Sequence, residues 1–134
     1  MASIFTQIID RKLPGFFVFE DQNHVAILDK YPIDHGHTLV ITKKPYELLT
    51  EMPQNEVAEL FSLVPVIAVA VKKATGADAF SIAQNNGKAA KQIIPHVHVH
   101  IIPRYSSKGT VWTKRNIPDD SELENLSKKI KACL

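Results

Sequence analysis

Ile4, Phe5, Ile8 and Ile9 recur at helical spacing and predict one or two amphipathic turns that end before Pro14-Gly15. Two strands follow, Phe16–Glu20 and His24–Asp29, joined by the polar turn Asp21-Gln22-Asn23. Pro32-Ile33-Asp34-His35-Gly36 reads as a loop and His37–Thr42 as a third strand. Over Pro53–Lys73 the period changes: Val57, Leu60, Phe61, Val64, Ile67, Ala68 and Val71 fall on one helical face, with Pro65 inside the run and Gly76 as the stop. Ala79–Gln84 and Pro95–Ile102 predict two more strands around the polar loop Asn85–Gln92. A last helix begins at Asp119-Asp120-Ser121 and carries Leu123, Leu126 and Ile130. Clustered strands predict an α+β fold: a five-stranded antiparallel sheet with one long helix and short N- and C-terminal helices.

At 134 residues the chain reads as a single domain over 1–134, with enough apolar residues for a core. One cysteine, Cys133, rules out an internal disulfide framework and fits a reducing compartment. Charges at Asp10, Arg11 and Lys12 come too early for a signal peptide, and the longest apolar run, Leu63 to Val71, is too short to span a membrane. The expectation is a soluble, cytoplasmic protein. The net charge of +2 says little, but its distribution does: between residues 84 and 115 stand Lys88, Lys91, Arg104, Lys108, Lys114 and Arg115 and no acid. Such a segment is either a solvated basic face or a field that favours anionic ligands such as phosphates.

Inside that segment, His96, His98 and His100 occupy every second position and account for half of the six histidines. Strict alternation with Val97 and Val99 puts the three imidazoles on one face of a strand. Zinc is one reading, because His-x-His on a strand is a metal-ligand pattern. No carboxylate or cysteine follows at close spacing, however, and Lys91 and Arg104 flank the run. Satisfied core histidines are a second reading. Phosphoryl or nucleotidyl transfer is the third and best supported. A neutral imidazole is a nucleophile at phosphorus, a second can stabilise developing charge, and a third can fix a tautomer. The neighbouring loop could offer backbone N–H groups and the amides of Asn85 and Asn86 to a phosphate.

His-x-His-x-His between apolar residues, Asn85-Asn86-Gly87 upstream and Ile102-Pro103-Arg104 downstream resemble the histidine triad family in its Hint-like branch. Ser3-Ile4-Phe5, Ala26-Ile27-Leu28-Asp29 and Gly36-His37-Thr38-Leu39-Val40-Ile41 extend the likeness, which fades after about residue 112. The resemblance implies a homodimer formed through Pro53–Lys73 and Ala79–Gln84. It further implies a purine nucleotide substrate and cleavage at the α-phosphorus through a covalent nucleotidyl-histidine, without metal or cofactor and without nucleic acid or membrane as partner. His98 would be the nucleophile, His100 would contact phosphate, and His96 and His37 would support. Asn85, Lys91 and Gln92 would lie toward the phosphate and leaving group. Asp29 would hold the ribose, and Phe5, Ile8, Ile27, Leu28 and Leu39 would line the base pocket or simply pack as core. The leading activity is hydrolysis of a P–N bond, as in a nucleoside phosphoramidate or AMP-lysine. Hydrolysis of dinucleoside polyphosphates is the alternative, and a nucleotide-binding module with weak turnover is another. Departures stand out. Lys91 occupies a position that is usually glycine, where positive φ strains a lysine. Ile93 replaces a common Ser or Thr, and Lys30 replaces an apolar residue. Ser3 and Thr6 replace the Cys-x-x-Cys of zinc-bearing members. His24 is expected at the surface of a strand end, and His35 in a loop near the site.

Overall fold

The strands His24–Leu28 and Thr38–Thr42 are buried at every position, so the middle of the sheet is covered on both faces. A computed structural model describes residues 3–113 and 117–134. Its elements are α1 (Ile4–Ile9), β1 (Phe17–Glu20), β2 (His24–Leu28), β3 (Thr38–Thr42), α2 (Gln54–Thr75), β4 (Ala79–Ala83), β5 (His98–Arg104) and α3 (Asp120–Ala132). Single 3-10 turns at Leu49–Glu51 and Lys88–Ala90, not anticipated from the sequence, shape two of the loops. The strands pair antiparallel throughout in the order β1-β2-β3-β5-β4. The expected α+β architecture is the observed one.

One face of the sheet carries Ala26, Leu28, Val40, Val97, Val99 and Ile101 against Leu60, Val64, Ile67 and Val71 of α2 and Leu123, Leu126 and Ile130 of α3. Full burial of such side chains stabilises by about 1.5–3 kcal/mol each. The helix α2 runs unbroken through Pro65, whose ring faces solvent, and stops at Gly76 with φ 70°. The opposite face carries Val25, Ile27, Leu39 and Ile41 packed with Phe5 of α1. His98 pairs with Ile41 and His100 with Leu39, so both imidazoles belong to this second face.

Three expectations need correction. The strand predicted from Pro95 begins at His98. The N–H of Val97 bonds the carbonyl of Tyr46 in a loop, and Pro95 has no N–H to offer a neighbour strand. Leu28 sits on the α2–α3 face and lines a cavity of about 260 Å³ beside α3, away from Ile27 and Leu39. His24 is buried, its ring held by Asp21 at the hairpin turn. Lys114 and Arg115 of the basic segment lie outside the described residues.

Candidate active site

Each histidine of the site meets a partner that decides which nitrogen carries the proton. His96 is fully buried; its Nε2–H donates to the carbonyl of Thr42 at 2.6 Å, so Nδ1 is left to accept from the hydroxyl of Ser3 at 2.7 Å. The same Ser3 Oγ accepts the N–H of Thr6 and caps α1. His98 donates Nδ1–H to the carbonyl of His96 at 2.6 Å, which leaves the lone pair on Nε2. Phe5 stands edge-on to the His98 ring, 4.9 Å between centroids, and covers it from the α1 side. Burial lowers the pKa of both His96 and His98, keeping the rings neutral further into acid.

His37 and His100 form the second half. His37, at the end of the loop before β3, accepts the N–H of Ile33 at Nδ1, 3.0 Å away. The ring proton is therefore on Nε2, which lies 2.9 Å from Nδ1 of His100 and 3.6 Å from a carboxylate oxygen of Asp29. In its neutral form His100 accepts at Nδ1 and carries its own proton on Nε2. The two adjacent imidazoles of β5, 4.9 Å apart between centroids, thus have opposite characters: His98 presents a lone pair and His100 an N–H.

Asp29, His37 and His100 place three ligating atoms within 4.8 Å of one another. The acid that the sequence around the histidines lacked is supplied from the end of β2. The donor set nonetheless fits a cation poorly. A histidine that binds metal through Nε2 carries its proton on Nδ1 and donates it outward, whereas Nδ1 of His37 faces a donor.

Phe5, Ile8, Ile27 and Leu39 come together as expected, in one apolar cluster on the histidine face. Asp29 is half-buried beside His37, with its other carboxylate oxygen accepting the N–H of Tyr31. Asn85 follows β4, where Ala83 pairs with His100. Gln92 is buried, and its amide braces the loop: Oε1 accepts from Gly87 N–H and Nε2 donates to the carbonyl of Glu47. Lys91 is exposed with φ 63° and ψ 35°, the left-handed conformation its position suggested. Lys30 is exposed and apart from the apolar cluster. Trp112 lies across the guanidinium of Arg104, 4.6 Å from ring centre to carbon, and stays 58% exposed. The tie of Ser3 to His96 spans 93 positions of sequence, and no local pattern announces it.

The model of the HIT domain matches residues 10–107. This chain belongs to the HIT family. It is 39% identical over 132 residues to adenylylsulfatase HINT3 of Arabidopsis thaliana, covering 98% of this chain and 66% of that protein. It is 34% identical to adenosine 5′-monophosphoramidase hnt1 of Schizosaccharomyces pombe, over 98% of this chain and 100% of that one. A histidine triad nucleotide-binding protein of Sulfolobus tokodaii superposes with a TM-score of 0.88 at 39% identity, covering 96% of this HIT chain and 89% of the other. None of the helices in the described residues is long and apolar enough to cross a membrane.

Proposed function

We propose that this HIT protein hydrolyses conjugates of purine nucleoside monophosphates at the α-phosphorus, phosphoramidates among them, through a covalent nucleotidyl-histidine. The observation that carries the reading is the hydrogen bond from His98 Nδ1 to the carbonyl of His96, which leaves Nε2 as a nucleophile. Its lone pair attacks phosphorus, the bond to the leaving group breaks, and the leaving group takes the electron pair. The N–H of His100 beside it stabilises the phosphoryl oxygens as charge develops. Water then cleaves the P–N bond, releasing the nucleotide, a proton and the neutral ring. Asp29 has acceptor oxygens suited to ribose hydroxyls, and the cluster around Phe5 and Ile27 suits a purine. Two relatives named for the hydrolysis of adenylyl conjugates support this reading.

A homodimer fits the same reading. β4 is an edge strand, and Phe80 and Ile82 on it and Val66 and Val69 on α2 are exposed apolar residues. Light scattering after size exclusion is expected to give twice the chain mass.

The deciding experiment follows AMP release from adenosine 5′-phosphoramidate in EDTA, with His98→Ala beside it. Release that the substitution abolishes supports the reading. If the wild-type protein releases no AMP and merely binds the nucleotide, the protein is a binding module.

A further inference from the structure

The connection from Asp29 to His37 joins β2 to β3 and ends in the ring that touches His100. It closes on itself: the Asp29 N–H donates to the His37 carbonyl at 2.8 Å, and the His37 N–H to the Asp34 carbonyl at 3.1 Å. Inside it, the Ile33 N–H meets Nδ1 of His37. The His37 ring is therefore only as well fixed as the tip of this loop.

Packing fixes the tip on one side. Gly36, at φ 90°, is pressed against the last turn of α2 and against β5. A Cβ there would lie 2.6 Å from Thr75 Cγ2 and 3.1 Å from Pro103 Cγ. On the other side packing is missing. The cavity of about 260 Å³ runs between Pro32, Asp34 and His35 of the loop and Leu123 and Leu126 of α3. A segment that faces a void has no contacts there to resist displacement.

Polar groups from the chain beyond β5 reach across that side. The Tyr105 hydroxyl donates to the His35 carbonyl at 2.8 Å. Lys108 Nζ donates to Asp34 Oδ1 at 3.1 Å, and the same oxygen accepts the His35 N–H at 3.0 Å. The Asp34 side chain is 1% exposed and that of Lys108 45%. The ammonium also lies 4.8 Å from the Tyr105 ring centre. This segment is anchored in turn, because the Ser106 N–H donates to Asp78 at 2.8 Å. Lys108 belongs to the basic segment, yet its charge is directed at an acid of the fold itself.

Exposed ion pairs contribute little, but a buried carboxylate deprived of its cation is destabilising. Without the ammonium, Asp34 regains water when the loop tip turns outward, and Ile33 moves with it. We infer that Lys108 and Asp34 are positioning residues of the candidate site. Their ion pair fixes the β2–β3 loop so that the Ile33 N–H stays on Nδ1 of His37 and the His37 Nε2–H stays aimed at His100. The kinetic part of this inference rests on the hydrolase reading above; the structural part does not.

The test pairs kinetics on adenosine 5′-phosphoramidate with ¹⁵N NMR of the histidine rings. Lys108→Met keeps the aliphatic length and removes the charge. It is expected to lower kcat about five- to twentyfold with KM within about twofold, since lost alignment acts on the transition state. Asp34→Asn is expected to do the same and carries the comparison if Lys108→Met does not fold. The double variant is expected to be no slower than the slower single, as for two halves of one contact. Lys108→Arg is expected to keep kcat within about threefold of the unsubstituted protein, because the buried carboxylate retains a cation. The NMR spectra are expected to show the Nε2–H tautomer of His37 in the unsubstituted protein and in Lys108→Arg, and mixed tautomers in Lys108→Met. A lowered melting temperature with kcat and the His37 signals unchanged overturns the inference, because a merely structural pair behaves that way. Losses that multiply in the double variant also overturn it. If the unsubstituted protein releases no AMP, the hydrolase reading fails alone, and the His37 spectra still decide whether the pair sets the ring.

Discussion

The backbone N–H of Ile33 points at Nδ1 of His37 from 3.0 Å, and this contact assigns the proton of a ring that touches His100. A main-chain donor in one loop thereby decides which hydrogen-bonding group a side chain on β5 presents. Long-range ¹⁵N NMR on the free protein is expected to show His37 as the Nε2–H tautomer. His37→Ala is expected to lower kcat/KM by about 10- to 100-fold through loss of orientation at His100, with the fold retained. A His37 ring protonated on Nδ1 would contradict the assignment.

Stability and activity respond to acid together. His96 and His98 have pKa values lowered by burial, so the folded chain takes up these protons less readily than the unfolded one. Above the ordinary imidazole value of about 6.5 both states hold the rings neutral, and this contribution to stability is complete. As pH falls below it, the unfolded chain gains protons first, and the contribution is lost through the folded pKa values. Urea midpoints are expected to fall between pH 7 and pH 5. The acid limb of kcat/KM, which follows the neutral form of His98, is expected below that ordinary value.

Ser3 caps α1 and bonds His96, so its hydroxyl has two partners at once. Ser3→Ala is expected to destabilise by about 1–2 kcal/mol, from the lost cap and the unsatisfied buried nitrogen. Thermal melts with and without nucleotide check this, and the loss is expected in both.

Ile27 and Leu28 are neighbours in sequence and opposites in space. Ile27→Ala is expected to raise KM for an adenosine conjugate. Leu28→Ala is expected to cost about 2–4 kcal/mol of stability through a cavity on the helix face, with KM unchanged. Equal effects on KM would mean that the base approaches from elsewhere.

Much of this was legible in the residues alone. The periods of two and of 3.6 located the strands and helices to within a residue or two, apart from the start of β5, which lies three residues later than expected. The alternation around His98 and His100 predicts that both share one face of the strand, and they do. What local patterns could not carry came from distant partners. Gln92, expected toward substrate, is held by Glu47, 45 positions earlier. His96 lies outside the ladder, where the Val97 N–H turns to the Tyr46 carbonyl, and its ring is held by Thr42 and Ser3 from two other elements. Leu28 is a different case. Adjacent strand residues cannot face one pocket, and period two alone separates it from Ile27.

β5 sets the histidines of the candidate site and its core on alternate positions of a single strand: His98 and His100 on one side, Val99 and Ile101 on the other. A slip of one residue against β3 would turn the imidazoles into the hydrocarbon interior, at roughly 2–7 kcal/mol for each polar group left unbonded. The valine and isoleucine would surface in their place. Specific activity in a preparation of this protein is therefore also a count of correctly registered molecules. A refolding yield can be read by catalysis as directly as by spectroscopy.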